Sequence, residues 1–125
     1  MLSHHDAVAR IAVKNIAVAR RFYEDTLGLT AVATGDKDRV EYRSGQSTIR
    51  IYRSEDAGNT RDPTLTFAVG DRIDILARAL KAKGVHFQHY DLPQTYIEGD
   101  VHVAGEQRIA WFSDPDGNLL SMVGG

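Results

Sequence analysis

The same landmarks occur twice along this chain at one spacing. A period-two run, Val8 to Val13, places Ala9, Ile11 and Val13 on one side, as a half-buried strand requires. Asn15 then stands where a helix N-cap belongs. Ile16, Ala19, Phe22, Tyr23 and Leu27 recur at helical spacing, and Gly28 follows as a stop. The second pass begins with Thr64–Val69, which alternates through Leu65, Phe67 and Val69. Asp71 comes next as a candidate cap, then an apolar stripe of Ile73, Leu76, Ala77 and Leu80, and then Gly84. Val13 and Val69 lie 56 residues apart, and so do Gly28 and Gly84. Strand, cap and stop agreeing on one offset point to an internal duplication, which restricts the chain to folds built from two like halves.

Each half reads as strand–helix–strand–strand–strand. In the first, the helix is expected over Ile16–Leu27 and further strands over Thr30–Thr34, Arg39–Arg43 and Ser47–Tyr52, separated by turn-forming residues. In the second, strands are expected over Val85–Tyr90, Glu106–Ser113 and Asn118–Val123, with an irregular stretch from Asp91 to Gly105. Asp114-Pro115-Asp116-Gly117 has the composition of a tight turn. The expected organisation is one α+β domain over residues 1–125, with module one at about 7–53, a linker at 54–63 and module two at about 64–123.

Composition narrows the function. A chain of 125 residues with 42% hydrophobic content can bury a core without covalent staples. The absence of cysteine removes thiolate nucleophiles, disulfides and cysteine metal sites. A net charge of −2 with no basic stripe argues against nucleic acid as a partner. No apolar run reaches the roughly 18 residues of a membrane span, and no secretory leader is visible. A cytoplasmic protein without membrane contact is expected. Glycine-rich phosphate loops are missing, so no nucleotide cofactor is expected.

The duplicated βαβββ pattern resembles the vicinal oxygen chelate superfamily, which groups glyoxalases, bleomycin resistance proteins and dioxygenases. Val13-Lys14-Asn15 leading to Arg21-Phe22-Tyr23-Glu24 and Leu27-Gly28-Leu29 is similar to that family's first-helix signature. Ala82-Lys83-Gly84-Val85 and the run Ala110 to Asn118 are similar to its second-helix exit and final hairpin. The resemblance spans Val8 to Val123. It implies a cupped, half-barrel mixed sheet with helices on the outer face, and a homodimer that covers the open edges. In the family's metal enzymes, the first and last strands of each copy supply His, Glu or Gln ligands to a divalent Lewis acid. Those four positions fall here on Val8, Arg50, Thr64 and Ser121, so the resemblance implies no metal and no cofactor for this chain.

Strand alternation divides the side chains between two faces. If Ile11, Ile49, Ile51, Phe67, Leu120 and Met122 pack under the helices, the other face carries Arg10, Arg50, Tyr52, Thr64, Thr66 and Ser121. Trp111 falls on that face too, opposite to Phe112. These seven are the candidate ligand-binding residues. Their mixture of hydroxyls, aromatics and two guanidinium forks suits a small, anionic or polar-aromatic organic ligand. The arginines could equally pair with Glu41 or an aspartate on a solvated face. His4, His5, His86, His89 and His102 read as tail, surface or ordinary packing. No nucleophile–base pair is visible, and Tyr52, Glu41, Glu106 and His86 are unaimed as bases. No catalytic residue is assigned. The expectation is therefore a metal-free binder of the bleomycin-resistance kind. The alternative is a lyase- or isomerase-type enzyme working by side-chain acid–base chemistry.

Overall fold

In the computed structural model, each half of the chain builds one mixed sheet with one helix on it. The structure describes residues 1–58 and 62–125, with backbone alone for Leu2 and residues 33–36. The contacts fall into two units, Met1–Asn59 and Thr60–Gly125. The expected linker at 54–63 lies partly on residues 59–61, outside the described residues.

The first unit contains β1 (Val8–Val13), α1 (Ile16–Arg20), β2 (Thr30–Asp36), β3 (Arg39–Ser44) and β4 (Ser47–Arg53). Its sheet order is β1-β4-β3-β2, with β1 parallel to β4 and the other pairs antiparallel. Alternation sorts the faces as expected. Ile11, Val13, Val40, Tyr42, Ile49 and Ile51 are all buried and form the side that the helix covers. Asn15 caps α1 by accepting a hydrogen bond from the Val18 amide at 3.1 Å.

The expected helix to Leu27 is not uniform. After Arg20 the chain continues as a π-helical turn over Arg21–Thr26, and the Leu27 amide bonds the Phe22 carbonyl five residues back. That turn brings Tyr23, fully buried, into a stack on Tyr42 with centroids 6.1 Å apart. Gly28 at φ +78° then reverses the chain in the left-handed region where glycine carries no side-chain penalty.

A polar clasp closes this unit. The buried Tyr42 hydroxyl donates to Glu24 Oε2 at 2.8 Å, and Arg20 Nε donates to the same oxygen at 2.6 Å. The Arg20 bond above all, with help from Tyr42, holds the Glu24 carboxyl below its ordinary value, against the opposing effect of burial. A carboxyl with a depressed folded pKa stabilises the fold above its unfolded pKa and loses that effect as pH falls through the folded value. Glu24→Gln should therefore lower stability by about 1 kcal/mol at neutral pH. Urea unfolding of wild type and variant should converge as the pH drops below about 4.

The second unit contains β5 (Leu65–Ala68), α2 (Ile73–Ala82), β6 (Phe87–Gln88), β7 (Tyr96–Glu98), β8 (Val101–Ala104), β9 (Gln107–Ser113) and β10 (Leu119–Gly124). The order is β5-β10-β9-β8-β7, and β6 also pairs with β9. Again the first strand runs parallel to the last. Three expectations need correction. Asp71 is not the cap of α2: it lies within a 3₁₀ turn, Gly70–Arg72, and Arg72 takes the cap position with no side-chain bond. The strand expected over Val85–Tyr90 shrinks to Phe87–Gln88. The stretch expected to be irregular contains the β7–β8 hairpin, which meets β9 beyond the point where β6 leaves it.

Gly124 has a steric duty. A Cβ placed there would sit 2.0 Å from the Gly70 carbonyl oxygen, where the end of β10 packs against the 3₁₀ turn. The hairpin joining β9 to β10 is built on Asp114. Its Oδ1 accepts the amides of Asp116 at 2.9 Å and Asn118 at 2.8 Å, and its Oδ2 accepts the Asn118 side-chain amide at 2.8 Å.

Candidate functional site

The two units place equivalent residues at equivalent points of the first-strand–last-strand pair. In the first, Arg10 lies directly beside Arg50, with Val8 beside Thr48 and Ala12 beside Tyr52. In the second, Thr66 lies beside Ser121 and Leu65 beside Leu120. What differs is the chemistry.

On the helix-free face of the first sheet, Arg10 and Arg50 are in register on adjacent parallel strands. Like charges directly opposite one another are unfavourable. Two contacts relieve the repulsion. Arg50 donates through Nε to Glu41 Oε1 at 2.7 Å, and its Nη2 bonds the same oxygen. Glu41 is the β3 residue opposite Arg50, so the ion pair follows from strand register. Arg10 instead lies with its guanidinium carbon 4.7 Å above the Tyr52 ring, in a cation–π contact. Among the described residues no carboxylate forms an ion pair with Arg10. Arg39 and Arg43 project from β3 to the same side, opposite Tyr52 and Thr48. Four arginines thus share this face with Glu41.

On the corresponding face of the second sheet the groups are neutral. The Thr66 and Ser121 hydroxyls bond each other at 2.7 Å, and Ser121 is buried. The Thr64 hydroxyl donates to the Leu119 carbonyl at 3.2 Å. Trp111, opposite Ser121 on β9, anchors an aromatic group that the sequence did not reveal. His102 meets it edge-on at 4.8 Å and Tyr90 does so at 5.1 Å. His102, read from sequence as surface or ordinary packing, is only 2% exposed. Gln88, Ser113 and the Tyr90 hydroxyl form a chain of hydrogen bonds beside the ring group. His86 and Glu106, considered as bases, are exposed and belong to no such cluster.

A family model for the Glyoxalase/Bleomycin resistance protein/Dioxygenase superfamily matches residues 4–122. The chain belongs to that superfamily. Solved structures agree at the level of fold. The chain is similar to FosX, a genomically encoded fosfomycin resistance protein from Listeria monocytogenes, with a TM-score of 0.74 and 18% identity over 97% of this chain and 93% of that one. It is similar to TnmS3, an antibiotic binding protein from Streptomyces sp. CB03234, with a TM-score of 0.70 and 20% identity over 96% and 94%. An integron cassette protein from the mobile metagenome of V. cholerae matches with a TM-score of 0.66 and 21% identity over 96% and 94%. Among curated proteins none matches.

Within this superfamily, the four positions that the resemblance marks for metal ligands hold a donor set unsuited to a divalent ion. Val8 offers hydrocarbon, and Arg50 a cation already bonded to Glu41. Thr64 and Ser121 offer neutral hydroxyls engaged with Leu119 and Thr66. Among the described residues, no group of three or more His, Asp or Glu side chains could hold a metal ion. No helix is long and apolar enough to cross a membrane among those residues.

Proposed function

We propose that this superfamily member binds a small organic anion on the helix-free face of its first sheet, without a resident metal. The observation that carries the reading is the in-register Arg10–Arg50 pair, which has Glu41 as its ion-pair carboxylate. The Arg10–Arg50 pair therefore carries one more positive charge than Glu41 balances, next to an aromatic ring, and an arriving carboxylate or phosphonate would relieve the repulsion between the two guanidiniums. Arg10 is the better anchor, because its fork is not committed to a carboxylate. Arg50 orients Glu41 and supplies field. Tyr52 fixes the Arg10 plane and gives an aromatic ligand a surface beside it. Taken by itself, the second sheet carries neutral candidate groups in Thr66, Ser121 and Trp111, with Thr64 held to its backbone neighbour. Fosfomycin resistance in FosX and antibiotic binding in TnmS3 support a ligand of antibiotic-like size.

The first test is metal content. Protein incubated with Zn²⁺, Ni²⁺, Mn²⁺ or Fe²⁺ and then desalted should carry well below one equivalent of ion by elemental analysis. One tightly held equivalent, lost on substitution of any of the four marked positions, would overturn the reading. An acid–base enzyme remains the second reading, and its base would come from Glu41 or Tyr52, since both touch the arginine pair. A homodimer belongs to the same proposal, and light scattering at micromolar concentration should return twice the 13.8 kDa chain mass.

A further inference from the structure

Between β6 and β7, residues 89–95 cross the second sheet's edge with few ties to the rest of the unit. Beyond the strand ladders, the described backbone groups of this segment make one bond within it, the Pro93 carbonyl accepting from the Thr95 hydroxyl at 3.0 Å, and one outside it, the Tyr90 amide donating to His102 Nε2 at 2.9 Å. Tyr90 is 37% exposed, yet its ring lies edge-on to Trp111. Gln94 at φ +55° occupies the left-handed region, which a residue with a Cβ adopts only at some cost. The strap is thus held down at its Tyr90 end while its own turn is strained.

The donor direction fixes the tautomer. A nitrogen that accepts from a backbone amide cannot carry a hydrogen, so the neutral His102 ring is protonated at Nδ1. That Nδ1 is buried and makes no hydrogen bond in the described structure. A second proton would go to Nε2, where it would point at the Tyr90 N–H. Two donors would then face each other inside a buried ring cluster, and the amide would lose its only acceptor.

We propose that His102 is a pH-operated latch that pins the Tyr90 strap against Trp111 when neutral and releases it when protonated. The groups facing His102 act in that sense. From the strap, His89 meets the His102 ring edge-on at 5.9 Å and Tyr90 lies 6.1 Å away. From the β7–β8 turn, Asp100 bonds His89 at 2.8 Å and also meets Lys81 of α2 at 3.5 Å, so its charge is spent on these two. From β9, Trp111 and Ile109 are neutral, and Arg108 is engaged with Asp74 and Glu98. Burial first, then the charge of His89, pushes the His102 pKa down from the usual imidazole value against a smaller opposing effect of the Ile109 backbone, and the Tyr90 N–H, donating to Nε2, also favours the neutral ring. A lowered folded pKa means that the closed state is intact at neutral pH and is lost progressively as the medium acidifies past the unfolded imidazole value. The part of the half-buried Trp111 ring that Tyr90 covers would then become accessible as the medium acidifies.

The test is amide hydrogen exchange on the full chain from pH 8 to 4.5, expressed as protection factors, with far-UV circular dichroism recorded alongside. Tyr90 protection should fall by roughly tenfold as the pH drops past the unfolded imidazole value, while the β9 and β10 amides keep theirs. His102→Gln, which can still offer an oxygen but does not titrate, should give a pH-independent Tyr90 protection. His89→Asn should keep the transition and move it to higher pH, since a repelling charge is gone. Emission from Trp111, the single tryptophan, should change over the same range. A Tyr90 amide that stays protected while Trp111 emission is quenched would overturn the latch. So would a transition that survives His102→Gln or disappears in His89→Asn.

Discussion

Asp114→Ala should cost about 3–4 kcal/mol of stability, enough to lower the melting temperature of a chain this size by roughly 10–20 °C. The carboxylate is only 5% exposed and accepts from two backbone amides and one side-chain amide. Alanine leaves those donors facing a hole. Each would pay the desolvation of an unmet hydrogen bond, and Asn118, itself 2% exposed, has nowhere to turn for water. The consequence extends beyond the turn, because the hairpin sets the register that puts Ser121 opposite Trp111 and Leu120 opposite Phe112. Asp114→Asn should lose an intermediate amount, since it keeps one oxygen for the backbone amides but turns an NH₂ toward the Asn118 amide. Chemical denaturation of the three proteins checks the order. A loss below 1 kcal/mol for the alanine variant would mean that the turn is held by its backbone alone.

Arg10→Ala should weaken an anionic ligand by one to two orders of magnitude while leaving stability within about 0.5 kcal/mol. Arg10 is exposed and its interaction within the fold is the Tyr52 ring, so its removal leaves no buried charge behind. Arg50→Ala should behave differently. It strips Glu41 of its partner, so stability falls and a carboxylate is left on the face to repel the ligand. Arg10→Glu should abolish anion binding. Calorimetric titration of the wild type and these variants with one ligand separates the roles. Equal affinity in wild type and Arg10→Ala, with a loss only in Arg50→Ala, would make the pair a structural feature and remove the anion-binding reading.

Much of this was legible in the residues. Period-two alternation alone separated Ile11, Val13, Ile49 and Ile51 from Arg10, Arg50 and Tyr52, because a pleated strand sends successive side chains to opposite faces. The 56-residue offset located both helices. The parallel pairing that sets Arg10 beside Arg50 is a contact across 40 residues, which no local pattern carries. Other features left no periodic trace. Val101, His102 and Val103 are all buried, so β8 has no alternation, and β7 is exposed at all three residues. A π turn differs from an α turn by one residue of hydrogen-bond offset, which an apolar stripe cannot register. His102 carries no local signal for the same reason: its burial comes from Tyr90 and Trp111, which the sequence keeps at a distance from it.

The central claim is metal-independent recognition of a small organic anion, and a thermal-shift panel in the presence of EDTA tests it most directly. The panel should hold aromatic carboxylates, organophosphonates, their uncharged esters and cationic analogues of matched size. A ligand that binds only the native state raises the melting temperature by mass action, by an amount set by its concentration over its Kd. One or more of the anions should raise the melting temperature in EDTA, the matching ester should not, and the effect should be lost in Arg10→Glu. Stabilisation by esters or cations alone, or by anions only after a divalent ion is restored, would contradict it.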